Sequence, residues 1–203
     1  MGKRTLYPLL VAGTMVVGGL LAGVTSASAA PDCVVSAGVT QNATTVTGTA
    51  GDDTIDCGSA TGGKTINGLA GNDTMTGSLF ADKINGGAGN DTSTGLGGKD
   101  SIIAGEGNNT STGSEGNDTL TSLAGSDTLT GSAGNDKLTA GGGADTLDGS
   151  EGVDTLKGGA GDDALTGPAA DNSVDRLNGD AGIDTCTIAA PDGDIRNSCE
   201  LDG

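Results

Sequence analysis

From Ile55 to Leu177 the apolar residues of this chain fall on a nearly constant nine-residue beat. Ile55, Ile66, Met75, Ile84, Ile102, Leu120, Leu129, Leu138, Leu147, Leu156, Leu165 and Leu177 each stand between two polar or small residues, threonine more often than any other, Ile103 beside Ile102 being the apolar exception. A polar–apolar–polar triplet is the period-two signature of a short strand with one buried face. Between triplets lie six residues rich in Gly, Ser, Asn and Asp, which read as a turn. The chain is therefore predicted to repeat one loop and one short strand.

Fifteen such units run from Gly48 to Thr187, and thirteen of them are nine residues long. Cys57–Asn67 has eleven residues and Gly167–Asn178 has twelve. Gly131–Thr139, G-S-A-G-N-D-K-L-T, shows the unit well formed. The sixth place reads Asp53, Lys64, Asp73, Asp82, Asp91, Asp100, Asn109, Asp118, Asp127, Asp136, Asp145, Asp154, Asp163, Asp175 and Asp184. The eighth place carries the twelve apolar residues, with Ser93, Ser111 and Cys186 as exceptions. Glycines at the first, second and fourth places are expected to permit positive φ and close backbone approach to an ion. Self-similarity at a fixed period predicts stacked units, each burying its inner face against its neighbours.

The flanks read differently. Lys3 and Arg4, the apolar run Leu6–Val24 and Ala27-Ser28-Ala29 predict a secretory signal peptide over 1–29, cleaved after Ala29. The glycines in the run and the small-x-small site argue against a retained anchor. Residues 30–47 alternate loosely (Val34, Val35, Val39, Val46) and are expected to cap the N-terminal end. Residues 188–203 leave the beat and would cap the other end.

Composition sharpens this picture. With 40 Gly, one Tyr, one Phe and neither Trp nor His in 203 residues, an ordinary globular core is excluded and a repeat architecture favoured. The formal charge is −18, and loss of the leader leaves 27 acidic residues against 7 of the 9 basic ones. Such a chain repels nucleic acid and acidic membranes and attracts cations. Aspartates in glycine-rich loops suit calcium, which takes six to eight oxygens from carboxylates and carbonyls. One loop supplies part of that shell, so the loop stacked on it must supply the rest. No histidine and no paired carboxylates outside the sixth place are present, so no enzyme is expected.

Gly86–Thr94 (G-G-A-G-N-D-T-S-T), Gly113–Thr121 (G-S-E-G-N-D-T-L-T) and Gly158–Thr166 (G-G-A-G-D-D-A-L-T) follow the pattern G-G-x-G-x-D-x-U-x. Over Gly48–Thr187 the chain resembles RTX, or haemolysin-type, calcium-binding repeat proteins. The resemblance implies an all-β, right-handed parallel β-roll with two repeats per coil and calcium between loops of successive coils. One ladder would then hold Asp53, Asp73, Asp91, Asn109, Asp127, Asp145, Asp163 and Asp184. The other would hold Lys64, Asp82, Asp100, Asp118, Asp136, Asp154 and Asp175. Lys64 could fill its own site with an ammonium, Asn109 loses a charge, Gly77–Asp82 lacks the fourth glycine, and the insertion before Asp175 opens that loop. Units eight to thirteen are expected to bind best and both ends weakly.

In such a roll, neighbouring aspartates about 5 Å apart repel by roughly 3 kcal/mol per pair at an effective dielectric near 20. Folding is accordingly expected to require calcium. Four cysteines in an exported chain allow three pairings. On the implied rod, Cys57 and Cys186 lie roughly 30 Å apart, beyond the reach of a bridge. That leaves Cys33–Cys57 and Cys186–Cys199, one clamp at each end. Leader, disulfides and short tail together resemble an exported, actinobacterial-type member of the family, secreted and monomeric. A rival reading is an ice-, matrix- or cell-surface binder, because Thr74/Thr76, Thr92/Thr94, Thr110/Thr112 and Thr128/Thr130 form a regular Thr-x-Thr array similar to the faces of some ice-binding solenoids.

Overall fold

The computed structural model describes residues 33–167, 173–188 and 193–199. The leader expected over 1–29 lies outside them, as do parts of both expected caps. All elements among the described residues are strands, and they stack into two sheets.

The nine-stranded sheet begins at Val34–Val35 and Thr54–Asp56. It continues through Thr74–Thr76, Thr92–Gly97, Thr110–Glu115, Thr128–Ala133, Thr146–Glu151 and Ala164–Thr166 to Thr185–Thr187. The ten-stranded sheet begins at Thr40–Gln41, Thr45–Thr47 and Thr65–Ala70. It continues through Lys83–Ala88, Ser101–Glu106, Thr119–Thr121, Lys137–Thr139, Thr155–Ala160 and Arg176–Ala181 to Ile195–Asn197. Consecutive units alternate between the sheets, so two units close one coil of a parallel β-solenoid, as the family resemblance implies. β-branched threonines on either side of each inward residue favour the extended backbone.

Register follows the repeat length. Thr110 pairs with Thr128, and Ser111 with Leu129, eighteen residues on. Where a coil contains the eleven-residue unit, Thr54 pairs with Thr74, and where it contains the twelve-residue unit, Thr155 pairs with Arg176. The strands keep their inward faces aligned across both longer coils.

Two columns fill the interior. Ile55, Met75, Ser93, Ser111, Leu129, Leu147, Leu165 and Cys186 come from one sheet, and Val46, Ile66, Ile84, Ile102, Leu120, Leu138, Leu156 and Leu177 from the other. None is more than 2% exposed. Each large member contributes about 2 kcal/mol of burial, which makes the column the packing core of the molecule.

Both N-terminal edges are covered. Val34–Val35 pairs antiparallel with Thr54–Asp56, and Thr40–Gln41 pairs antiparallel with Thr45–Thr47. An exposed strand edge invites pairing with another chain, and reversed strands end the stacking. The parallel stack also reaches beyond Gly48–Thr187, since Thr45–Thr47 lies in register under Thr65–Asn67 and Ile195–Asn197 lies over Arg176–Asn178. The tail thus adds a strand to the ten-stranded sheet. Cys33–Cys57 and Cys186–Cys199 are bridged, one near each end. No helix of the described residues is long and apolar enough to cross a membrane.

Candidate metal centre

Stacking brings the sixth-place residues into two vertical ladders, and all thirteen predicted aspartates are at most 4% exposed. One carboxylate oxygen of each is engaged. Asp73 Oδ1 accepts the backbone N–H of Asp53 at 2.8 Å, Asp91 Oδ1 that of Asp73 at 2.8 Å, and Asp163 Oδ1 that of Asp145 at 2.9 Å. In the other ladder Asp118 Oδ1 accepts from Asp100 at 2.8 Å and Asp136 Oδ1 from Asp118 at 2.7 Å. Each aspartate therefore ties its coil to the one before it.

The second oxygen is left over. Oδ2 of Asp73, Asp91, Asp100, Asp118, Asp127, Asp136, Asp145, Asp163 and Asp184 is buried without a hydrogen-bond partner. A buried carboxylate oxygen without a donor costs far more than an exposed one. Burial accordingly pushes the Asp100 carboxyl up to about 7, helped by Asp118 and Asp82 and opposed by the Asp82 N–H. Burial likewise raises Asp136 and Asp163 to about 6. Asp73, Asp91, Asp118 and Asp145 are raised for the same first reason.

Glycines shape the cradle in two ways. A Cβ on first-place Gly131 would strike Asp136 Oδ2 and stand 2.7 Å from the Gly149 carbonyl, so this glycine makes room for the carboxylate. The expectation of positive φ at the first place is thereby corrected: close approach is what that position requires. Fourth-place Gly134 does hold a positive φ, +133°, and a Cβ there would strike the Gly116 carbonyl. The second place is left-handed in many loops even where it is not glycine, at Leu69, Leu96, Ser114, Ser132, Ser150 and Asp180, but not at Thr49, Ser78, Leu123 or Gly141. Backbone strain of this kind persists only where the surroundings enforce it.

Asn109 reveals where the loop carbonyls point. Its Oδ1 accepts the Asp91 N–H at 2.8 Å, which turns Nδ2 toward Gly105 O and Gly107 O, at 3.3 and 3.0 Å. In this loop the second- and fourth-place carbonyls thus converge on the atom that stands where an aspartate would carry Oδ2. Carboxylate oxygen and carbonyl oxygens facing one another without a proton between them are a donor set for a hard cation. Among the described residues no three His, Cys, Asp or Glu side chains converge as a metal cluster. Each loop offers one buried carboxylate, and carbonyls from its own and the adjacent coil must complete any shell.

Two loops are built otherwise. Asp53 Oδ2 accepts from Thr49 N–H at 2.6 Å and from Thr49 Oγ1 at 3.0 Å, and Oδ1 accepts from Ser36 Oγ at 2.8 Å. Burial pushes this carboxyl up, but the donors from Thr49 and Ser36 outweigh it and hold it below the usual range. Asp82 Oδ2 accepts from Ser78 N–H at 2.5 Å and Ser78 Oγ at 3.0 Å. Lys64, at the foot of the second ladder, is buried and donates its ammonium to Ala43 O at 2.6 Å.

One ladder residue escaped the sequence reading. Asp194 Oδ1 accepts the Asp175 N–H at 2.8 Å and extends the second ladder by one rung, its Oδ2 buried without a partner. Its triplet, Ile195-Arg196-Asn197, places arginine at the inward position, which hides the unit from a search for apolar residues. The Gly193-Asp194 step, one residue off the nine-residue beat counted from Asp184, was the available signal.

These features define a class: a β-solenoid whose loops present stacked, cation-demanding oxygen sites. The family model for the RTX calcium-binding nonapeptide repeat (4 copies) matches residues 40–59, 67–102, 85–120, 103–138, 121–156, 139–174 and 148–186. The chain belongs to this family of calcium-binding repeats. No curated protein matches it.

Proposed function

We propose that this is a secreted protein that folds into its roll when calcium fills the loops of successive coils. The observation that carries the reading is the row of buried, partnerless Oδ2 atoms along both edges, at the place where the Asn109 loop turns two carbonyls inward. The ligand carboxylates are those of Asp73, Asp91, Asp100, Asp118, Asp127, Asp136, Asp145, Asp154, Asp163, Asp175 and Asp184. Calcium supplies the positive charge that the oxygen-lined loops lack. The chain holds each carboxylate in place through the backbone N–H of the neighbouring coil and excludes water by burying it. Without the ion, like charges stack along each edge and the narrow column must hold the fold alone. Disulfides at both ends suit an oxidising, extracellular compartment, where calcium is plentiful. No catalytic role is assigned to any residue.

Circular dichroism of the full chain with calcium and after chelation tests this. The β signal is expected to weaken in chelator, with a lower melting temperature for the structure that remains, and to return on adding calcium; an unchanged spectrum and melt would overturn the linkage.

A second reading has its own observation. Thr74, Thr92, Thr110 and Thr128 pair directly in one column, and Thr76, Thr94, Thr112 and Thr130 in another. A regular hydroxyl array of that kind suits an ordered surface such as ice. Thermal hysteresis measured on the calcium-loaded protein separates the readings, and its absence removes the ice-binding one.

A further inference from the structure

Not every loop of the ladders asks for an ion. Asp73, Asp91, Asp100, Asp118, Asp136, Asp163 and Asp184 share a left-handed second residue and a buried Oδ2 without a donor. Asp127 and Asp145 also have a donorless Oδ2, although their second residues, Leu123 and Gly141, are not left-handed, so the presence of a donor and not the handedness separates the loops. In the Asp53 and Asp82 loops the second residue is Thr49 or Ser78. Its N–H faces the carboxylate, where the Asn109 loop directs the second-place carbonyl inward. The same hydroxyl closes a small turn in both, Thr49 Oγ1 accepting from Gly51 N–H at 3.1 Å and Ser78 Oγ from Phe80 N–H at 3.2 Å. Each of these carboxylates therefore has the donors that the other loops lack. Asn109 reaches the same end by another route. Its Oδ1 must accept the Asp91 N–H, so its Nδ2 donates to the two carbonyls and takes the place of a cation.

We infer that the loops of Asp53, Asp82 and Asn109 are closed by the chain's own donors and take no calcium of their own. The calcium count is set by the loops whose carboxylate oxygen lacks a donor. The inference rests on the calcium reading above and divides its sites into filled and ion-demanding ones. The Asp82 loop stacks on buried Lys64 at the foot of the second ladder, and the Asp53 loop stands at the foot of the first, shortly before Cys57 of the N-terminal bridge. They give the N-terminal coil a closed polar lining without metal. The filled loop at Asn109 interrupts the first ladder between Asp91 and Asp127.

The test counts calcium ions on the full, disulfide-bonded chain by calorimetry and native mass spectrometry, using calcium chloride. Asn109→Asp restores an oxygen opposite Gly105 O and Gly107 O, so at least one ion more than wild type is expected. Metal-free, the same variant should melt below wild type. Asp136→Asn is the reciprocal change: at least one ion fewer, and a metal-free melting temperature above wild type. An unchanged count in Asn109→Asp overturns the inference. If wild type itself takes up no calcium, it is the underlying calcium reading that fails. A further measurement needs no variant. In metal-free wild type, hydrogen exchange at Thr54–Asp56 and Lys83–Ala88 should be slower than at Thr119–Thr121 and Lys137–Thr139, and equal exchange in all four would count against the filled loops.

Discussion

The Oδ2 atoms of Asp100, Asp136 and Asp163 dictate how the chain responds to pH. Burial raises these carboxyls to about 7, 6 and 6, from 3.8 in a solvated chain. Between those limits the folded form binds more protons than the unfolded one, so stability is present at low pH and lost as pH rises through the folded values. Metal-free protein should therefore melt at a higher temperature at pH 4.5 than at pH 7.5. With saturating calcium the trend should reverse, because protons then compete with the ion for the same oxygens. Differential scanning fluorimetry across this range, in calcium-free buffer and in excess calcium, reads both slopes; a metal-free melting temperature that climbs with pH would contradict the buried, donorless carboxylates. Ser93 and Ser111 make a second case at this scale. They are neighbours in the inner column, and both hydroxyls are buried without a partner. Such a group costs about 1–3 kcal/mol. Ser93→Ala should raise the unfolding free energy of the calcium-loaded protein by about 1 kcal/mol, seen as a higher denaturant midpoint at unchanged slope.

At the scale of the loop and its strand, glycine identity decides whether a coil closes. Gly134 sits at φ +133° with the Gly116 carbonyl where a Cβ would go, so alanine there meets both a backbone penalty and a steric one. Gly134→Ala should cost at least about 1–3 kcal/mol and weaken calcium uptake at Asp118 and Asp136 together, measurable by thermal melts and calorimetry on one preparation. The beat of apolar triplets made these strands legible in the sequence, because a period of two and a repeat of nine leave only one inward residue per unit. Coil pairing came from the resemblance, and the sheets agree with it. Other features depend on directions that a string of letters does not carry. Asn109 reads as a lost charge, yet its amide proves to be a donor only once Gly105 O and Gly107 O are seen to face it. The missing fourth glycine in Gly77–Asp82 was visible as a departure, but the inward N–H of Ser78 was not. Asp194 stayed hidden because Arg196 stands where the repeat calls for an apolar residue.

For the whole molecule, the governing fact is that each coil touches only the coils beside it. Stability in such a stack is a sum of unit and nearest-neighbour terms, and terminal coils, with one neighbour, open first. The disulfides sit where that opening would start. Cys33–Cys57 holds Val34–Val35 on Thr54–Asp56, and Cys186–Cys199 ties the last inward residue of the nine-stranded sheet to the tail. Arg196 adds a bond from Nη1 to Cys186 O at 3.2 Å, so the tail strand is pinned from both sheets. The bridges span 24 and 13 residues, and loop closure of that size is worth about 3 kcal/mol each. Because the benefit is local, removing one bridge should not loosen the far end. In the variant Cys186→Ala/Cys199→Ala, loaded with calcium, hydrogen exchange should accelerate at Arg176–Ala181 and Thr185–Thr187 while Thr65–Ala70 keeps its protection. The calcium ions lost should be those held near Asp175 and Asp184, leaving the count around Asp118 and Asp136 intact. A uniform loss of protection along the chain would mean that the roll opens as one unit, and that the coils are coupled far beyond their neighbours.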